Sequence, residues 1–127
     1  MSFLGITGKK ANGFASPAQG YEDTSIDLNE LLIKRPASTY FFRLESAEMT
    51  EFGLLDGALL VVDRSKVPIL NSIVIVRHEG QFLCRLMLNH NGYTVFSNGK
   101  NEILPLIDDT EIIGVVTASI QIYDIPY

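Results

Sequence analysis

The residue that most constrains this chain's chemistry is a guanidinium on an apolar strand face. Arg85 falls in the run Gln81–Leu88, where β alternation places it on one side with Leu83 and Met87. A charge so placed needs an acidic partner. Arginine stays protonated, with a pKa of about 12 or more, so Arg85 cannot act as a general base. Candidate nucleophiles are the hydroxyls of Ser38, Ser46 and Ser65, and each would need a deprotonable base beside it. The bases to consider are Lys34, Lys66 and Lys100. Asn12-Gly13 has a chemistry of its own, because Asn-Gly in a flexible arm deamidates slowly. The two histidines, His78 and His90, flank turn signals and read as solvated turn residues. No CxxC, HExxH, Walker-type glycine loop or dinucleotide fingerprint occurs, so no metal or cofactor is expected.

The elements that must position these groups are mostly β. Met1–Ser25 is rich in Gly, Ala, Ser, Pro and Gln with little periodicity. It reads as an extended arm without its own core, with Phe14 and Tyr21 as its docking aromatics. Asp27–Ile33 is the one helix expected. Asp27 caps it, Glu30 stands three residues on as in a capping box, and Leu28, Leu31 and Leu32 share a face. Pro36 stops it, and Lys34 and Arg35 suit its negative end. Seven strands are expected over Tyr40–Leu44, Ala58–Val62, Ser72–Arg77, Gln81–Leu88, Tyr93–Phe96, Ile103–Leu106 and Glu111–Tyr123. Asp56-Gly57, Glu79-Gly80, Asn91-Gly92 and Asn98-Gly99 are the turns among them. Gly114 marks a bulge or bend in the last strand. The face Ala118, Ile120, Ile122 buries in the core or forms a dimer seam. The organisation expected is an arm over residues 1–25 and a single β domain over 26–127.

The composition narrows the function classes. With 127 residues the chain can bury a core without metal or disulfide staples. Its single cysteine, Cys84, excludes an internal disulfide and fits a reducing cytoplasm. The apolar runs are too short to span a bilayer, and Met1–Gly5 does not open a secretory signal. A net charge of −5 with no basic run argues against direct nucleic-acid binding.

Three segments share one ordered pattern. The first is Gly13-Phe14-Ala15-Ser16-Pro17-Ala18 with Tyr21, followed by Ile26–Ile33. The second is Pro36-Ala37-Ser38-Thr39-Tyr40-Phe41, leading through Met49 to Leu55-Asp56-Gly57-Ala58 and on to Asp63. The third is Ile73-Val74-Ile75, then Gly80-Gln81-Phe82, and finally Gly114-Val115-Val116-Thr117. In order and spacing, over nearly the whole chain after Gly13, they resemble the self-cleaving UmuD/LexA family of bacterial SOS proteins. The resemblance implies a compact LexA/UmuD C-terminal-domain-like (signal-peptidase-like) β fold with one short N-terminal helix. No helix-turn-helix domain like that of LexA-type repressors is expected ahead of this fold, which points to the UmuD branch.

The resemblance also implies a chemistry. In that family a serine just before the methionine attacks a bond in the protein's own arm. A lysine after the Gly-acid-Phe turn is the base, and the bond lies between Ala or Cys and Gly. Here those positions hold Glu48, Arg85 and the junction Asn12-Gly13. A carboxylate is a poor amide-attacking nucleophile, and arginine, which stays protonated, cannot act as a base. Glu48 and Arg85 are expected to form a bidentate ion pair in place of the Ser–Lys couple, the alternative being that both side chains turn outward into water. None of Lys34, Lys66 and Lys100 follows the Phe82 turn to replace the base.

The function this implies is that of a non-catalytic accessory in the SOS response and translesion synthesis. It would form a homodimer, or a heterodimer with a UmuD relative, and bind a Y-family polymerase subunit, with the RecA filament as a further partner. The alternatives are an active self-cleaving serine peptidase with a rearranged site, and a pseudo-protease whose cleft holds a foreign peptide. The expected compartment is the bacterial cytoplasm.

Overall fold

A computed structural model describes residues 25–124. The junction Asn12-Gly13, the aromatics Phe14 and Tyr21, and the arm up to residue 24 lie outside them. The chain divides into two compact units, Met1–Lys34 and Arg35–Tyr127.

In the first unit, helix α1 spans Leu28–Leu32. Asp27 caps it by accepting the N–H groups of Asn29 at 3.0 Å and Glu30 at 3.4 Å. None of its five residues is buried.

The second unit carries a seven-stranded sheet: β1 (Thr39–Arg43), β2 (Leu59–Asp63), β3 (Ile73–His78), β4 (Gln81–His90), β5 (Tyr93–Ser97), β6 (Ile103–Pro105) and β7 (Glu111–Ile120). Its order is β1-β2-β7-β3-β4-β5-β6, and every pairing is antiparallel. Each expected strand is present, with ends shifted by a residue or two except in β7, which stops at Ile120. Ile122 therefore leaves the strand and is exposed, while Ala118 and Ile120 are half-buried. The two central hairpins close at Glu79-Gly80 and Asn91-Gly92. Both central residues have positive φ (51° and 82°; 55° and 88°), the type I′ twist that suits flanking strands.

Alternation along the inner strands feeds two cores. Leu60, Val62, Ile75 and Cys84 join Leu44, Met49, Leu54 and Ala58 in one cluster. Val74, Val76, Met87, Phe96 and Val115 form the other. The register slips between Val61 and Val62 on β2, and between Ile75 and Val76 on β3. The unpaired β7 residues at these slips are Thr117 and Ile113, so Gly114 is not itself the bulge; it stays paired with Ile75. Its role is close approach. A Cβ at Gly114 would lie 2.7 Å from Val62 Cγ1 and 3.1 Å from the Asp63 carbonyl. Gly114→Ala is therefore expected to cost about 1–2 kcal/mol in urea unfolding, by overpacking at a backbone contact. A neutral result would show that the two strands can part without loss.

Candidate functional site

Arg85 stands mid-way along β4, opposite Val74 of β3. Its side chain is 5% exposed, so its charge must be met inside the protein. Its Nε donates to Glu102 Oε1 at 2.7 Å, and its Nη2 lies 2.6 Å from the same oxygen. Nη1 donates to the Cys84 carbonyl at 2.8 Å. Glu48 Oε1 is 3.6 Å from Nη2. The structure thus brings positions 48 and 85 near each other through one long contact and not the expected bidentate pair, because the shorter bonds of Arg85 go to Glu102. Sequence reasoning missed that residue. The signal for it was indirect: Asn98-Gly99 marks a hairpin after β5, and β5 runs beside β4 with Ser97 opposite Leu86.

That hairpin is organised by one buried side chain. Asn98 is 2% exposed. Its Oδ1 accepts the N–H groups of Lys100, Asn101 and Glu102 at 2.9, 3.1 and 3.0 Å. Its Nδ2 donates to Asn101 Oδ1 at 3.1 Å and to Glu48 Oε1 at 3.2 Å. Glu48 arrives from the other side of the site, on the segment ahead of a short 3-10 turn, Thr50–Phe52. Fully buried Met49 anchors that segment, as expected of a core residue.

Beside these groups lies a groove of about 560 Å³, whose lining includes Phe42, Ser46, Glu48, Phe82, Cys84 and Glu102. Burial pushes the Cys84 thiol up to about 12, with the Arg85 charge opposing in part. It is therefore a neutral thiol at physiological pH and a weak nucleophile. Ser46 Oγ accepts the Glu48 N–H at 3.3 Å. Among the described residues no lysine amine is bonded to Ser38, Ser46 or Ser65.

Ser38 and Ser65 serve another centre. Both hydroxyls donate to Asp63 Oδ1, at 3.1 and 2.7 Å, as does the Ser65 N–H at 2.8 Å; Arg35 Nη1 donates to Oδ2 at 2.6 Å. The Ser65 hydroxyl does most to hold the Asp63 carboxyl well below the usual carboxylate range. Burial opposes it, and the Ser65 N–H, Arg35 and Ser38 add to it. A carboxyl depressed on folding stabilises the fold above its unfolded value, near 4, and that contribution is lost as the pH falls toward the folded value. Asp63→Asn should thus be less stable than the parent at pH 7, with the gap narrowing between pH 4 and 2. Urea midpoints across that range check it; a constant gap would remove the titration from the account.

One histidine departs from expectation. His78 ends β3 and is buried, with Nδ1 2.9 Å from Thr110 Oγ1. The turn beside it is exposed, but the ring faces inward because it falls on the covered side of the strand. His90 is exposed.

The comparisons with known proteins agree with this frame. Protein SamA of Salmonella typhimurium (strain LT2) is 39% identical over 112 residues, covering 86% of this chain and 78% of that protein. Protein MucA of Escherichia coli is 36% identical over 112 residues, covering 85% and 77%. Protein ImpA of Shigella flexneri is 42% identical over 76 residues, covering 60% and 52%. No helix among the described residues is long and apolar enough to cross a membrane. The Peptidase S24-like model matches residues 5–117, and by that match the chain belongs to the S24-like peptidases, the LexA/UmuD family its residues resemble.

Proposed function

We propose that this chain is a catalytically silent UmuD-like protein. It acts as an accessory in the SOS response and translesion synthesis, in the bacterial cytoplasm, through dimerisation and binding to a Y-family polymerase subunit. Residues 1–25 form the arm and 26–127 the β domain. The observation that carries this reading is the state of Arg85. Its guanidinium is buried, spent on Glu102 and flanked by Glu48. A self-cleaving Ser–Lys site needs a hydroxyl beside an amine that can lose its proton. Here two carboxylates enclose a group that keeps its proton. A net charge of −5 further favours protein partners over nucleic acid. Dimerisation and polymerase binding come from the family resemblance.

The test is the intact mass of the purified protein after incubation with RecA filaments and, separately, at alkaline pH. The mass should stay that of the full chain, apart from the small gain of deamidation at Asn12. Loss of Met1–Asn12 would make the protein a working self-peptidase with a rearranged site.

A further inference from the structure

We propose that Glu102 is a positioning residue that fixes the Arg85 guanidinium and would keep a lysine at position 85 protonated, so that the site is closed by three residues, Glu48, Arg85 and Glu102. This rests on the catalytically silent reading above. Glu102 engages two donors of Arg85 through one oxygen, at 2.7 and 2.6 Å, while Glu48 stands back at 3.6 Å. Glu102 is also held in place. Its N–H is bound by Asn98 Oδ1 at 3.0 Å, and its carbonyl accepts the Asn98 N–H at 3.3 Å. The same buried asparagine donates to Glu48 at 3.2 Å. One side chain therefore sets both carboxylates relative to the guanidinium.

The consequence concerns proton transfer. A lysine base works only as a neutral amine. A lysine at position 85 would place its Nζ near the present Cζ of Arg85. That atom joins Nε and Nη2, both of which contact Glu102 Oε1. An opposite charge within about 4–6 Å favours the charged form. Glu102 would thus oppose the effect of burial and keep the amine protonated. Restoring serine at 48 and lysine at 85 supplies the two residue types of the family without supplying a base. Neutralising Glu102 as well supplies it.

The experiment compares E48S/R85K with E48S/R85K/E102Q, each with lysine carbon-labelled at Cε and titrated by NMR. The midpoint of the lysine at position 85 should fall by about one pH unit or more when Glu102 is glutamine, a tenfold rise in neutral amine. Equal midpoints would overturn the proposal. A second measurement needs no reverted site. In the parent, the Arg85 Nε proton should exchange slowly with water. Glu102→Gln should speed that exchange at least tenfold, whereas Glu48→Gln should leave it nearly unchanged. Equal acceleration by both would overturn the assignment of the holding role to Glu102. The mass measurement on the parent protein separates the two claims. Arm loss there would end the silent reading, while these titrations would still decide what Glu102 does.

Discussion

Replacing Glu102 with alanine is expected to lower the unfolding free energy by about 1–3 kcal/mol, since the buried Arg85 loses its shortest acceptor although Glu102 is itself 36% exposed. The cost arises from what remains. Arg85 is 5% exposed, and without Glu102 it keeps the Cys84 carbonyl and a Glu48 oxygen at 3.6 Å. A guanidinium that is 5% exposed and has lost its shortest acceptor is costly to leave unmatched. Glu48→Gln should cost less than about 1 kcal/mol, since its side chain is 50% exposed and its contact is long. Replacing the pair together, as R85M/E102L, should recover most of the loss, because a buried pair stabilises little against apolar groups of similar volume. Urea unfolding at pH 7 reads all three. Equal losses for Glu102→Ala and Glu48→Gln would refute the ranking of the two carboxylates.

The second large effect is expected at Met49, where truncation to alanine should cost about 3–4 kcal/mol through lost burial and the cavity left behind. Met49 is fully buried, in the cluster with Leu44, Leu54, Leu60 and Cys84. It also sets the turn that follows it. Its carbonyl accepts the N–H groups of Phe52 at 3.0 Å and Leu54 at 3.2 Å. The Phe52 ring lies so close to Gly99 that a Cβ there would stand 2.7 Å from Phe52 Cζ. Met49 thus supports both the segment carrying Glu48 and the contact beneath the Asn98 hairpin. Met49→Leu conserves volume and should cost less than about 1.5 kcal/mol. The urea midpoint and the Asn98 side-chain amide resonances are the measurements. An alanine variant with parental stability would show that Met49 fills no essential space.

Two misreadings show where sequence reasoning stops. His78 sits next to a turn, so proximity to Glu79-Gly80 suggested a solvated ring. Which way a strand residue faces depends on what covers that face, and Thr110, 32 residues away, supplies the cover. Gly114 was legible as a special position in the last strand. Its reason is the close passage of β2, while the slips fall beside it, at Ile113 against β3 and at Thr117 against β2. Local pattern finds a glycine that must be glycine; only the neighbouring strand says why.

By itself the sequence determined the seven strands, their tight turns, the capped helix and the frame shared with UmuD and LexA. These follow from alternation, turn chemistry and residue spacing, all of which act over a few residues. It also determined that Arg85 needed an acid, because a buried cation must be matched wherever it falls. Which acid was decided by the tertiary structure. The antiparallel register brings Glu102 to Arg85 across 17 residues, and Asn98 to Glu48 across 50. Glu48 and Glu102 are both acids near a strand end in the sequence. The pairing of β4 with β5, and of β5 with β6, sets the distance of Glu102 from the guanidinium, while buried Met49 and the Asn98 amide set that of Glu48.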